Sequence, residues 1–217
     1  MKITIDNEVI HYNVQYGKGK KMQLQIDSIG FITVKAPNRT SDEAIAEQLQ
    51  KWGSWILEKQ NERDANKVSS LARKYEPNGT FLYLGEERSL HELIHTDNLT
   101  KEQLKLNLKK FYFTQCKTLI ESRIKHYQKE LKVTFKSIDI IESFRKWGSC
   151  NSNKKLEFNY RLAMAPVEVI DYVMIHELCH LTHMNHDRSF WRRVGSIMPD
   201  YKEKEAYLER MNSLMTL

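Results

Sequence analysis

The sequence predicts an α+β fold, because stretches with strand periodicity and stretches with helical periodicity occupy different parts of the 217-residue chain. Before residue 37, the segments 9–16, 22–26 and 31–34 show the apolar–polar alternation of half-buried strands. Residues 99–132 instead carry apolar side chains at helical spacing. Two further alternating segments, 135–140 and 155–162, precede a second, more apolar helical stretch over about 167–183.

These patterns divide the chain into three units. Residues 1–64 are predicted to form an antiparallel β-meander followed by one helix, with Thr40 or Ser41 as its N-cap and Ile45, Leu49 and Ile56 on its buried face. From about residue 61 to residue 78 polarity rises and periodicity fades, so residues 65–98 are predicted to be a linker with short strands. Residues 99–217 form the third unit, and the chemistry lies there.

The composition and the charge of the chain restrict the classes of protein to which it can belong. Three scattered cysteines cannot form a disulfide framework, and the N-terminus lacks the apolar run of a secretion signal, so we expect a cytoplasmic location. No stretch approaches the roughly 20 apolar residues of a membrane span. The net charge of +6 can attract nucleic acid, but lysines on solvated helix faces are the better explanation, because no nucleic-acid motif accompanies the charge.

The segment His176-Glu177-Leu178-Cys179-His180 predicts a metal site. On a helix the two histidines lie on one face, about 6 Å apart along the axis. Both imidazoles can therefore reach one zinc ion at roughly 2.0–2.1 Å, while Glu177 stands beside the ion as a general base. The alternative is a core helix that carries these groups by chance, but burying them without partners would be costly.

A catalytic zinc ion usually has three protein ligands and one open position, and His183 and His186 are the candidates for the third. His183 lies about 4.5 Å beyond His180 along a continuing helix, which makes a shared ion difficult. His186 can return to the ion if the chain turns near Asn185, and Asp187 can cap a new helix there. The spacing favours His186 over His183.

Several motifs together resemble the YgjP-like metallopeptidase family, which is related to the SprT and WLM zinc proteases. They are Arg145-Lys146-Trp147-Gly148-Ser149-Cys150, Leu162-Ala163-Met164-Ala165-Pro166, the zinc motif through Asn185-His186, and Phe190-Trp191. The resemblance covers most of the chain and implies a zincin-like catalytic domain over 99–217. It also implies one zinc ion held by His176, His180 and His186, with Glu177 as the catalytic base. Asp187 replaces a serine that is common in the family, and Lys146 separates a more usual Arg-Trp pair.

Around this motif we predict the groups that position substrate. The polar candidates are Arg145, Ser149, Asn159 and Arg161, each of which can alternatively be a surface or turn residue. Tyr172 and Tyr201 are candidates for stabilising an oxyanion, and their spacing does not choose between them. Strand 156–162 is either an edge strand that a substrate extends or an ordinary internal strand. Cys150 and Cys179 could suggest a Cys/His zinc site, but Cys179 is expected to pack as a small apolar residue instead.

Three functions are compatible with the sequence. The first is a zinc-dependent peptidase, or a related amide hydrolase, that acts on a protein or peptide and needs no membrane. The second is a nucleic-acid-binding protein with a structural zinc ion, or, by analogy with the SprT relationship, a DNA-associated protease. The third is a hydrolase of a small amide or nucleotide. Glu177 favours hydrolysis, because a structural zinc site needs no carboxylate beside an open position.

Overall fold

The computed structural model describes the whole chain apart from Asn7, Phe144, Ser213, Thr216 and the segments 27–31 and 66–73. Phe31 of the third predicted strand and residues 66–73 of the predicted linker therefore lie outside the described residues. The fold is α+β, as predicted, with small sheets and several helices. Among the described helices, none combines the length and the apolarity that crossing a bilayer requires.

The N-terminal sheet contains β1 (Lys2–Ile5), β2 (Glu8–Gly17), β3 (Gln23–Ile26) and β4 (Ile32–Pro37) in the order β1-β2-β4-β3. The pairs β1–β2 and β3–β4 are antiparallel, but β2 and β4 are parallel, with Tyr12 opposite Ile32. The predicted antiparallel meander is therefore wrong. Alternation indicates which face of a strand is buried, but it is the same for parallel and antiparallel partners, so it could not set this pairing.

Two helices follow where one was predicted: α1 (Asp42–Lys51) and α2 (Gly53–Ala65). Ser41 caps α1 by accepting a hydrogen bond from the Ala44 amide at 3.3 Å. Ile45, Leu49 and Ile56 are fully buried against the sheet, as predicted, and form a hydrophobic core separate from that of the rest of the chain. The N-terminal unit thus has its own packed interior.

A short hairpin connects this unit to the remainder. Strands β5 (Thr80–Tyr83) and β6 (Glu86–Ser89) flank a turn at Leu84 and Gly85, within the segment predicted to contain short strands, and α3 (Leu90–Leu93) follows. Gly85 has φ +85°, and a Cβ on it would lie 2.6 Å from the Pro166 ring, so only glycine fits. The amides of Leu84 and Gly85 donate to the carbonyls of Ala163 and Met164, which fixes the hairpin to the segment before the metal-motif helix.

The C-terminal part is built around the long helix α4 (Lys101–Glu130), which was predicted. A second sheet combines β7 (Ser137–Ile141), β8 (Gly148–Cys150) and β9 (Lys155–Asn159) in the order β7-β9-β8, followed by a 3-10 helix (Tyr160–Met164). Strand β9 lies in the middle, parallel to β7 and antiparallel to β8. The edge-strand interpretation of 156–162 is therefore wrong, and β8 is an edge strand of this sheet.

Three helices complete the fold: α5 (Val167–His180), α6 (Arg188–Ile197) and α7 (Tyr201–Met211). Helix α5 contacts α4, α6, α7 and β8, so it lies at the centre of the larger core. It ends at His180, before the predicted end near His183. The chain then bends, which brings the start of α6 back towards the end of α5.

Candidate metal centre

Helix α5 holds the zinc motif inside the protein. Every residue from Val169 to His180 is buried, because this helix is apolar on nearly all sides and is enclosed by its neighbours. The charged exception outside the motif is Asp171, whose two carboxylate oxygens each accept a 2.6 Å hydrogen bond from the Arg123 guanidinium of α4. This bidentate pair fixes the rotation of α5 relative to α4, and with it the direction of the histidines.

The structure brings three of the predicted ligands together. The Nε2 atoms of His176 and His180 are 3.1 Å apart, and the Nε2 atom of His186 lies 2.9 Å from the first and 3.0 Å from the second. Two nitrogens that share one zinc ion at roughly 2.1 Å can be no more than about 4.2 Å apart. All three pairs satisfy this limit, so the donor set fits a single metal ion.

The protonation state of the histidines also favours the binding of a single metal ion. The Nδ1 atom of His180 donates to the carbonyl of His183 at 3.0 Å, because a carbonyl can only accept, and Nε2 of the neutral ring is then unprotonated. Burial lowers the pKa of His180 to about 4 and that of His186 to about 3, and it lowers the pKa of His176 well below its usual value. Three neutral rings with converging nitrogens present lone pairs to one point, which a cation would stabilise.

The bend after α5 delivers the third imidazole. Asp187 caps α6 by accepting a hydrogen bond from the Phe190 amide at 2.9 Å, as the sequence predicted. On the first turn of α6, the Trp191 ring stacks on His186 with centroids 5.4 Å apart, and Phe190 lies against all three histidine rings. His183 is outside this group, since its Nδ1 atom lies 3.4 Å from the Ser189 hydroxyl.

Glu177 lies beside β8. Its side chain is buried, and a Cβ added to Gly148 would come within 2.6 Å of its Oε1 atom. The carboxylate therefore packs directly on the strand backbone, and glycine is required for this close approach. Sequence reasoning missed both β8 and this role of Gly148. The available signal was a glycine between Trp147 and Ser149 in the quoted motif, but nothing in that motif indicates its partner.

Two of the four predicted substrate-positioning residues line a cleft of about 750 Å³ in front of β8. Arg145 is one, and its guanidinium is 2.9 Å from the Glu8 carboxylate of the N-terminal sheet. Ser149 is the other, and its hydroxyl donates to Glu157 at 2.9 Å and accepts from Lys146 at 2.7 Å. Both polar groups are thus placed at the surface of the cleft by partners in the protein.

The other two lie in the interior. Asn159 is 0% exposed and Arg161 2% exposed. The Asn159 amide donates to the carbonyls of Ser143 and Lys146, and Arg161 donates to Ser143 at 2.8 Å and to Met215 at 3.3 Å. Their polar groups are directed at the backbone of the loop before β8 rather than at the cleft.

The remaining candidates surround the histidines. Tyr172 is fully buried, and its ring meets His176 edge-on at 5.9 Å. Tyr201 stacks on Trp191 at 5.1 Å, so one ring separates it from His186. Burial raises the pKa of the Cys150 and Cys179 thiols to about 12, and neither belongs to the metal-binding group found among the described residues. Cys179 is buried and packs as predicted, whereas Cys150 is half-buried and lines the cleft.

A buried helix carrying His-Glu-x-x-His, with a third histidine beyond its end, is the arrangement of metal-dependent hydrolases. The family model described as YgjP-like, metallopeptidase domain, matches residues 20–211, which is most of the chain. The protein therefore belongs to the YgjP-like metallopeptidase family, as the motifs indicated. Comparison with curated proteins finds no match. Neither the fold nor the family supports the nucleic-acid interpretation of the basic charge.

Proposed function

We propose that the protein is a zinc-dependent peptidase in which Glu177 is the general base. The observation that carries the proposal is the convergence of three imidazole nitrogens within 3.1 Å of one another, together with the buried Glu177, which packs on Gly148 in the lining of an open cleft. Imidazole donors suit zinc, and His176, His180 and His186 would hold one ion and leave a coordination position open. When bound, zinc acts as a Lewis acid and lowers the pKa of water.

The protein's own groups complete the reaction that we propose. Glu177 accepts a proton from the attacking water and returns it to the leaving amine. Its position against β8 supports this role, since the carboxylate is held at the strand that borders the cleft. The cytoplasmic location of this activity stays a prediction.

Strand β8 is the element on which we place the substrate. It pairs with β9 on one side, and its residues Gly148, Ser149 and Cys150 line the cleft. An extended peptide can add to such an edge by main-chain hydrogen bonds. We keep Arg145 and Ser149 as substrate contacts. We assign Asn159 and Arg161 instead to positioning the loop that leads into β8, because both are buried and bond to its carbonyls.

The Glu177→Gln variant tests the proposal. It preserves shape and removes the base, so we expect one zinc ion per chain to remain and hydrolysis of unfolded protein or peptide mixtures to fall about 10²- to 10⁴-fold. Metal content by mass spectrometry and a chelator-sensitive cleavage assay measure the two effects. Glu168→Gln, the same substitution on the exposed side of α5, is the matched control and should retain activity. A wild-type protein that binds zinc but shows no chelator-sensitive peptide cleavage would contradict the proposal.

A further inference from the structure

The cleft in front of β8 has a second wall, which belongs to the N-terminal sheet. Alternation along β2 directs Ile10 and Tyr12 into the N-terminal core, so Val9, His11 and Asn13 face the opposite way, and all five residues border the cleft. Lys2 of β1 lies directly opposite His11 in the antiparallel register, so its side chain is on the same face. A peptide on β8 would therefore lie between two walls.

Two contacts hold this wall against the catalytic part of the chain. Arg145, from the loop before β8, pairs with Glu8 of β2 at 2.9 Å. The Asn13 amide donates to the carbonyl of Met184, which lies in the bend between His180 and His186. The wall is thus attached both to the loop before β8 and to the bend between His180 and His186. Its strands β1 and β2 lie before residue 20, where the family match begins.

The charges that line the cleft are unequal. Lys2, Arg145, Lys146 and the α-amino group of Met1 are cationic, and Glu157 is the anionic group among the lining residues. Lys146 pairs with Glu157 at 2.8 Å, and Arg145 pairs with Glu8. Within the described part of the chain, exposed Lys2 has no carboxylate within ion-pair distance. The excess positive charge therefore belongs to Lys2 and to the α-amino group of Met1, both on the wall opposite β8.

The electrostatic potential at this wall is also positive. The pKa of His11 is lowered, first by desolvation in the cleft and then by the positive charge of Lys146, which acts more strongly than Glu157 does in the opposite direction. The α-amino group of Met1 and, to a smaller extent, Lys2 lower the pKa of His11 further. An anionic side chain brought to this face would be attracted, and a cationic one would be repelled.

We propose that the N-terminal wall selects extended peptides that carry an aspartate or glutamate facing Lys2. The proposal deepens the proposed peptidase function, on which it rests for the identity of the cleft, but it concerns binding and can be measured without cleavage. A partly exposed ion pair contributes a modest preference, so we expect about three- to tenfold tighter binding of the acidic peptide than of its neutral equivalent.

The test uses the zinc-loaded Glu177→Gln protein and a set of short, fluorescently labelled peptides. Each has a neutral background with one Glu, Gln or Lys at successive positions, and fluorescence anisotropy gives the dissociation constants. We expect one position at which Glu binds most tightly and Lys most weakly. Lys2→Gln should weaken this order, because the α-amino group of Met1 remains on the wall, and Lys2→Glu should abolish it. Lys20→Glu, which makes the same charge change beyond the far end of β2, is the matched control and should leave the order intact.

Several outcomes overturn the proposal: equal affinity for the three peptides at every position, absence of binding by all of them, or equal effects of Lys2→Glu and Lys20→Glu. The last would show that net charge, rather than the wall, causes the preference. Cleavage of the same peptides by the wild-type protein is scored separately. Cleavage without a charge preference would contradict this inference but not the peptidase proposal. Charge-dependent binding without any cleavage would contradict the peptidase proposal but not this inference.

Discussion

Replacing Gly148 with alanine adds one methyl group where β8 meets the proposed general base. The added Cβ would lie 2.6 Å from Oε1, 2.8 Å from Cγ and 2.9 Å from Cδ of Glu177, and these are its three nearest neighbours. Ordinary van der Waals contact begins at 3.4 Å, so the strand or the carboxylate must move by about 0.8 Å, the difference between 3.4 and 2.6 Å. Both residues are buried, which leaves little room for the movement.

This displacement should affect catalysis more than folding. A misplacement of about 1 Å in a catalytic group can lower the rate by about 10²-fold, so we expect kcat to fall between ten- and a hundredfold. Overpacking of a buried site typically costs about 1–3 kcal/mol of unfolding free energy. The metal content should not change, because none of the three nearest atoms belongs to a histidine.

The assay combines three measurements on Gly148→Ala: zinc per chain, kcat and KM for a cleaved peptide, and the free energy of unfolding in urea. Gly195→Ala is the matched control. Its added Cβ would lie 3.5 Å from Tyr201, an ordinary contact, and alanine should stabilise α6 by about 0.5–1 kcal/mol. A Gly148→Ala protein with full activity would refute the placement of Glu177 against β8. Loss of zinc in that variant would refute the prediction that the added methyl group displaces Glu177 without disturbing the three histidines.

Two further predictions concern the groups that surround the metal centre. His186→Ala should weaken zinc binding by at least about 10²-fold because it removes one of three donors, whereas His183→Ala should change the zinc affinity by no more than a few-fold. A competition titration with a chromophoric chelator measures both affinities, and equal zinc affinities of the two variants would contradict this prediction. Asp171→Asn should lower the free energy of unfolding by about 1–3 kcal/mol, because it leaves the Arg123 guanidinium without its bidentate partner. If the variant unfolds in urea as the wild-type protein does, this ion pair does not hold α5 in place.

Much of the C-terminal part could be predicted because its signals are local. The amphipathic pattern of α4, the apolar stretch of α5 and the Asp187 cap of α6 each depend on side chains within a few turns of one another. The convergence of His186 on His176 and His180 was predictable for the same reason, since ten residues and one bend separate the ends of the motif.

The errors occurred where distant segments meet. Alternation located β2 and β4 but could not show that they run parallel, and the three-residue strand β8 is too short to carry a periodic signal. Asn159 and Arg161 were predicted as substrate contacts from their polarity near the motif, yet the structure buries them on backbone carbonyls. Burial of a polar side chain depends on partners elsewhere in the chain, which sequence spacing does not specify.

By itself, the sequence determined that His176 and His180 can share a metal ion, because an i, i+4 pair lies on one face of a helix, and it favoured His186 over His183 as the third donor. Only the tertiary structure decided what surrounds those donors. It placed β8 against Glu177, made β9 an internal strand and brought Lys2 and His11 to the opposite wall of the cleft. The Gly148–Glu177 contact joins residues 29 positions apart, and the Glu8–Arg145 pair beside the cleft joins residues 137 positions apart. Neither contact follows from a local pattern, because each depends on how separate elements pack.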